Sequence, residues 1–157
     1  METLTGNLVT GNYDIFCHQV NCMGVMGAGI ARQIRFRYPE VYTSYIEKYK
    51  NDSNLLGKIQ CIATSDGRTC VNFFSQMGYG TGRVYTDYEA FRLCLSHLKT
   101  YLDTYVPQDK IVAFPYGVGC GLAGGSWTVI SRLLEDFSKT VRQKVIIVKF
   151  DKLEKRK

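Results

Sequence analysis

The chain has 157 residues, of which 45% are apolar and 22% are charged, close to the averages for a soluble globular domain. No uncharged stretch is long enough to span a bilayer, and the N-terminal METLTGNLV lacks both the basic start and the apolar core of a secretion signal, so we expect a cytoplasmic protein with no membrane contact. The net charge of +6 falls to +4 without the basic tail at 151–157, and a solvated surface explains that excess without nucleic acid as a partner.

The first part of the chain predicts a buried strand that runs into a glycine-rich loop. Residues 4–9 are β-prone, and 13–20 form a nearly unbroken apolar run, as expected for a central strand covered on both faces. Three glycines follow before a helical pattern, namely Gly24, Gly27 and Gly29. Such a loop lets the backbone approach an anion at a helix N-terminus, but a plain packing turn explains the same glycines equally well.

The middle of the chain predicts a second helix and a hairpin. Pro39 either ends the first helix or begins the next, whose apolar stripe covers 41–49. Two β-type runs at 58–64 and 69–74 flank an Asp-Gly pair typical of a hairpin turn.

The second half repeats the order of strand, glycines and helix. Thr86 and Glu89 have the spacing of a capping box at the start of a helix. The predicted elements are, in order, a loop at 75–85, a helix at 86–102, a strand at 110–114, a glycine-rich loop at 115–127, a helix at 130–137 and a strand at 145–150.

Strands that alternate with helices predict an α/β fold, here a three-layer α/β/α sandwich with a mostly parallel or mixed sheet of about six strands. Ligands of such sheets lie beyond the carboxyl ends of the strands, and two glycine-rich loops at those ends suit a diphosphate. The GxGxxG fingerprint is incomplete because Gly29 is followed by Ile30, Ala31 and Arg32, and the GxxxxGK[ST] loop is absent. Nicotinamide redox chemistry and ordinary nucleotide triphosphatase chemistry are therefore disfavoured.

Four separated motifs carry a family resemblance: GN at positions 6–7, YDIFCHQVNC at 13–22, GAGIA at 27–31 and PYGVGCG at 115–121. In this order they resemble a macro domain over nearly the whole chain. The resemblance implies one domain at 1–150, followed by the tail at 151–157, with a mixed six-stranded sheet and ADP-ribose across a crest of loops.

The resemblance also implies a set of site residues. Asn21 matches an asparagine that contacts the distal ribose, and the loop at 118–121 matches one whose amides wrap the diphosphate. Phe150 matches an aromatic residue that stacks on adenine, although a core phenylalanine is an equal alternative. Asn7 stands where many macro domains have an aspartate that reads the adenine amino group, which puts adenine selectivity in question. The implied ligand-binding residues are Asn7, Asn21, Gly27, Ala28, Gly29, Val118, Gly119, Cys120, Gly121 and Phe150.

The chain is most similar to the branch with terminal ADP-ribose protein glycohydrolases and ADP-ribose 1″-phosphate phosphatases. Where the glycohydrolases use a lysine and an aspartate, this sequence has Gln76 and Ala123. His18 matches a histidine of the phosphatase members and is the candidate catalytic residue, although a lone histidine on a buried strand is more often a core residue. His97 is most simply explained as packing.

The resemblance therefore implies binding of ADP-ribose or a derivative, such as an ADP-ribosylated protein, with phosphatase-like hydrolysis at the distal ribose. The alternatives are a non-catalytic reader, an ADP-ribosyl hydrolase and a reader of RNA, the last supported only by the positive charge. No cofactor and no metal are expected, because the six cysteines contain no CxxC pair.

Overall fold

The computed structural model describes residues 1–151, so the predicted tail at 151–157 lies outside the described residues except for Asp151. The elements are β1 (Glu2–Gly6), β2 (Ile15–Asn21), α1 (Gly29–Arg37), α2 (Pro39–Asn51), β3 (Ile59–Ala63), β4 (Thr69–Gln76), α3 (Tyr88–Tyr105), β5 (Ile111–Pro115), α4 (Trp127–Ser138) and β6 (Lys144–Phe150). None of the helices within residues 1–151 has the length and apolar character needed to cross a membrane.

The strands form one mixed six-stranded sheet in the order β1-β6-β5-β2-β4-β3, as predicted. All neighbours are parallel except β3, which pairs antiparallel with β4 through the predicted hairpin. The strand β2 is central, and all of its residues except the half-buried Gln19 are buried. Because five strands run in the same direction, their carboxyl ends and both glycine-rich loops lie at one edge of the sheet.

A separate apolar core lies on each face of the sheet. On one face α3 and α4 contribute side chains such as Leu98 and Ile130, and on the other α1 and α2 contribute Ile34 and Tyr45, all with no exposed surface. Each such side chain contributes on the order of 1.5 to 3 kcal/mol through burial. The helices therefore cover both faces and confirm the three-layer sandwich.

Two local predictions were wrong because a polar side chain has a different partner. The predicted strand at 4–9 ends at Gly6, since Asn7 Oδ1 accepts hydrogen bonds from the backbone N–H groups of Val9 and Thr10 and turns the chain. The N-cap of α3 is Asp87, whose side chain accepts from the N–H of Ala90 at 2.9 Å, and not Thr86. Pro39 is the first residue of α2, so it begins the second helix.

Candidate functional site

A main cavity of about 520 Å³ opens at the carboxyl edge of the sheet. Its floor is the end of β2, and its walls are the start of α1 and parts of the loops at 76–81 and 115–123. None of the described residues that line this cavity is Asp, Glu, Lys or Arg. A charged ligand there must therefore be stabilised by backbone and side-chain dipoles.

A second cavity of about 240 Å³ adjoins the first. Asn7 and Phe150 line it, and three residues line both cavities, namely Ile30, Pro115 and Tyr116. Phe150 is 40% exposed, so the alternative of a core phenylalanine is wrong. The two cavities are therefore neighbours that share part of their walls.

The second glycine-rich loop lines the main cavity with residues 117–119 and 121. Gly117 and Gly119 have φ angles of 76° and 74°, in the left-handed region that favours glycine. Within residues 1–151, the N–H groups of Gly119 and Gly121 donate to no other group. Alternating left-handed and right-handed residues arrange such N–H groups into a concave anion-binding surface.

The helix α1 presents its N-terminus to the same cavity. Its N-cap, Ala28, has no side chain that can accept a hydrogen bond, and its first turn contains no acidic residue. The first N–H groups of the helix, at Gly29, Ile30 and Ala31, therefore remain available, and the helix dipole adds partial positive charge. This N-terminus and the second glycine-rich loop can both hold a phosphate.

A loop-joining network of side chains connects β2 and β4 to the second glycine-rich loop. Gln19 Nε2 donates to Gln76 Oε1 at 2.8 Å and to Thr86 Oγ1 at 2.9 Å. Thr86 in turn donates to the carbonyl oxygen of Gly119, and Ser75 donates to Gln19 Oε1 at 2.7 Å. The network directs the Gly119 carbonyl toward Thr86. Neither Gln19 nor Thr86 could be assigned to this site from the sequence, because their partners lie far away along the chain.

Asn21 lies 7% exposed at the end of β2, and nearly all of its amide is already used. Its Oδ1 accepts from Tyr45 Oη at 2.7 Å and from the N–H groups of Met23 and Val25, while its Nδ2 donates to the Val25 carbonyl. The oxygen is saturated, so Asn21 has one amide hydrogen left for a ligand.

His18 lines the floor of the main cavity but is only 2% exposed. Its Nε2 lies 2.6 Å from Asn72 Oδ1, and its Nδ1 is buried with no hydrogen-bond partner among the described residues. Burial lowers the pKa of His18 to about 4, although the hydrogen bond to Asn72 opposes this shift. The imidazole is therefore neutral at neutral pH.

The structure brings most of the expected site residues together. Those that line the main cavity are His18, Asn21, Gly27, Ala28, Gly29, Val118, Gly119 and Gly121. Asn7 and Phe150 line the second cavity, whereas Cys120 lines neither. The Cys120 N–H donates to Gly117 O at 2.8 Å and its thiol to Val118 O, and burial raises the pKa of that thiol. The Cys120 amide is therefore already used within the loop, and ligand binding by Cys120 stays a prediction.

Aromatic walls of the main cavity were missed by the sequence analysis. Tyr79 and Tyr116 line it and are 54% and 47% exposed, and the Tyr116 ring packs 4.8 Å from that of Trp127. Both tyrosines directly precede or follow glycines in loops without periodicity, where an aromatic side chain has no core to enter. That pattern could have indicated them.

No family model matches the chain, but individual relatives do. An ADP-ribose 1″-phosphate phosphatase of Saccharomyces cerevisiae is 32% identical over 150 residues, covering 79% of this chain and 84% of that protein. A DNA ADP-ribosyl glycohydrolase of Mycobacterium tuberculosis is 38% identical over 72 residues, which cover 44% of this chain and 20% of that protein.

Solved structures agree with the sequence relatives. The macrodomain of Mycobacterium tuberculosis DarG superposes with a TM-score of 0.80 at 27% identity and covers 94% of this chain and 97% of that chain. Thermosipho africanus DarTG in complex with ADP-ribose superposes with a TM-score of 0.79 at 18% identity over 94% of this chain and 41% of that one, which is a likeness of fold. The alignment with the yeast relative spans most of both chains at more than 30% identity, and the DarG macrodomain has the same fold. The chain belongs to the macro domain family.

Proposed function

We propose that the protein binds ADP-ribose and that backbone amides hold the diphosphate. One observation carries the proposal: two glycine-rich segments, one of them a helix N-terminus, contribute unpartnered N–H groups at residues that line a cavity with no charged side chain among the described residues. A diphosphate gains charge-assisted hydrogen bonds from such groups.

The two cavities suit the two ends of this ligand. Adenine stacks on the exposed face of Phe150 in the second cavity, and the distal ribose lies over Asn21 and Gly27 in the main cavity. The residues shared by both cavities lie under the middle of the ligand. ADP-ribose, its derivatives and ADP-ribosylated proteins all present this elongated group.

The proposed reaction is hydrolysis of ADP-ribose 1″-phosphate. Water attacks phosphorus, the bond from phosphorus to the ribose 1″ oxygen breaks, and ADP-ribose and inorganic phosphate leave. Loop amides stabilise the phosphoryl oxygens, and the neutral His18 accepts a hydrogen bond from the attacking water. The name of the yeast relative supports this reaction. Cleavage of a glycosidic bond is disfavoured, because Gln76 and Ala123 line the cavity where an acid or nucleophile would be needed.

A second candidate is a reader of ADP-ribosylated protein that does not turn over. Two features favour it. The described residues around the main cavity include no charged side chain, and the lowered pKa of His18, about 4, makes its imidazole a weak base.

Two measurements separate these candidates. Calorimetric titration should give tighter binding of ADP-ribose than of AMP or ribose 5-phosphate, since only ADP-ribose occupies both cavities. Equal affinity for AMP and ADP-ribose would contradict the proposed binding mode. Phosphate release from ADP-ribose 1″-phosphate then identifies the enzyme, and its absence in a protein that binds identifies the reader.

Gly121→Val is the variant that tests the location of the site. A Cβ at Gly121 meets no atom within 4 Å, and the residue is not in the left-handed region, so the fold accepts a side chain there. We expect ADP-ribose affinity to fall by about tenfold or more, which is about 1.4 kcal/mol, with an unchanged melting temperature. If the variant binds like the parent, the ligand site does not include this loop.

A further inference from the structure

A chain of side-chain amides, one half-buried and one fully buried, leads from helix α2 to His18 across three neighbouring strands. Gln60 on β3 donates from Nε2 to the carbonyl oxygen of Ser44 at 2.9 Å. Asn72 on β4 donates from Nδ2 to Gln60 Oε1 at 3.1 Å, and Asn72 Oδ1 lies 2.6 Å from His18 Nε2. The four residues therefore form one continuous hydrogen-bonded row.

The direction of every bond in this row follows from its first member. A backbone carbonyl can only accept, so the nitrogen end of the Gln60 amide must face Ser44 and its oxygen must face Asn72. The nitrogen end of Asn72 must then face Gln60, which leaves its oxygen toward the histidine. An amide oxygen cannot donate, so the proton of His18 must reside on Nε2.

The thiol of Cys70 supports this orientation of Asn72. Its sulfur lies 3.8 Å from Asn72 Oδ1, and burial raises the pKa of the thiol, so it remains a protonated, weak donor. Both neighbours of Asn72 Oδ1 are therefore donors.

We infer that the Ser44 carbonyl, Gln60 and Asn72 fix His18 as the Nε2–H tautomer, so that Nδ1 is a buried acceptor for an O–H group of the bound ligand or its attacking water. The inference rests on the proposed function and assigns Asn72 and Gln60 as positioning residues. It makes His18 a hydrogen-bond acceptor at Nδ1 and not a proton donor.

The alternative of a histidine that only fills the core fits the contacts poorly. A satisfied core histidine uses both ring nitrogens, whereas Nδ1 here has no partner among residues 1–151. Asn72 has no exposed surface, and an apolar residue would pack there without the cost of burying an amide. The unsatisfied Nδ1 is buried, but it belongs to a residue that lines the cavity, and its lack of a partner is explained if a ligand or its water reaches it and completes the bond.

Nitrogen NMR of the imidazoles tests the tautomer directly, because the chain has two histidines and exposed His97 serves as the internal reference. In the ligand-free parent we expect His18 to be the pure Nε2–H tautomer. Asn72→Leu should abolish this preference, and Asn72→Asp, which still offers an oxygen, should restore it. Gln60→Leu on the edge strand frees the Asn72 amide to turn and should give a mixture, even if the core variant does not fold.

Addition of ligand tests the role of Nδ1. ADP-ribose should shift the Nδ1 resonance and His18→Leu should lower its affinity if a ribose hydroxyl is the donor. If water is the donor, His18→Leu should keep the affinity and lower phosphate release at saturation by about tenfold or more. An Nδ1–H tautomer in the parent, or a His18→Leu variant that binds and reacts like the parent, would overturn the inference. Failure of the parent to bind ADP-ribose would instead reject the proposed function. The ligand-free spectra would still show whether the hydrogen-bonded row fixes the His18 tautomer.

Discussion

Two asparagine side chains at this site use their oxygens to stabilise the fold and keep an N–H group available for a ligand. Asn21 and Asn7 both accept backbone hydrogen bonds with their oxygens, which fixes the two loops that begin at the ends of β2 and β1. In both residues the free hydrogen-bonding capacity is therefore that of a donor. A donor at Asn7 can meet a ring nitrogen or carbonyl of a purine but cannot accept from the adenine amino group.

Asn7→Asp tests this assignment. The substitution keeps an oxygen for Val9 and Thr10 and replaces the free Nδ2 with a second acceptor. We expect the ratio of affinities for ADP-ribose over its hypoxanthine analogue to rise about tenfold, since an aspartate accepts from the amino group and repels a carbonyl. Titration of both ligands measures the ratio, and a ratio unchanged from the parent would show that Asn7 does not contact the base.

The buried hydroxyl of Tyr45 is the second residue-scale test. It lies 2.9 Å from the Asn21 carbonyl and 2.7 Å from Asn21 Oδ1, and it accepts from the Val25 N–H. Tyr45→Phe should lower the free energy of unfolding by about 1 to 3 kcal/mol and weaken ADP-ribose binding, because the hydroxyl holds Asn21 in place. Tyr105→Phe, at a position 75% exposed, is the matched control and should change neither. Binding that stays at the parent value would show that the Tyr45 hydroxyl does not position Asn21 for the ligand.

At the scale of elements, the two loops beyond β4 and β5 are joined into one unit. Besides the bond from Thr86 to Gly119, the N–H groups of Tyr85 and Thr86 both donate to the Ala123 carbonyl, at 2.7 Å and 3.2 Å. A Cβ on Gly119 would lie 2.9 Å from Gln19 Oε1, so this glycine is needed for close packing as well as for its φ angle. Gly119→Val should therefore lower the free energy of unfolding as well as the affinity for ADP-ribose.

Thr86→Val removes the hydroxyl that joins these loops and keeps the shape of the side chain. We expect a roughly tenfold loss of ADP-ribose affinity with little change for AMP, because the proposed binding mode places the Gly119 region against the diphosphate and not the base. Thr86→Ser should restore binding. Thr100→Val on the exposed face of α3 loses a comparable hydroxyl bond to Ser96 and should have no effect. An equal loss for both ligands would indicate a general disturbance of the fold.

At the scale of the whole molecule, stability is linked to pH through the burial of a neutral imidazole. The folded-state pKa of His18 is about 4, below the value of 6.5 for an exposed histidine. As the pH falls below 6.5, the unfolded chain binds a proton at His18 that the folded protein does not bind. The free energy of unfolding is therefore unaffected by His18 above pH 6.5 and decreases as the pH falls toward 4.

Chemical denaturation should show that the free energy of unfolding decreases by about 3 kcal/mol between pH 7 and pH 4 because of His18. His18→Leu should remove most of the slope between pH 6.5 and 4.5, where few carboxylates titrate. His97→Gln, on the exposed side of α3, should keep it. A slope that persists in the His18 variant would assign the pH dependence to other groups.

The sequence determined the order of elements, the central position of β2 and the two glycine-rich loops, because apolar periodicity and glycine are local properties that burial enforces wherever the chain folds. The prediction of Thr86 as a helix cap was wrong because its hydroxyl donates to the Gly119 carbonyl, which lies 33 residues away along the chain. The row from Ser44 to His18 depends on strands that become neighbours only in the sheet, since Asn72 lies 54 residues from the histidine. Only the tertiary structure decided which polar atoms are satisfied and which remain open to a ligand, because hydrogen-bond partners in a buried site come from long-range contacts that no local pattern encodes.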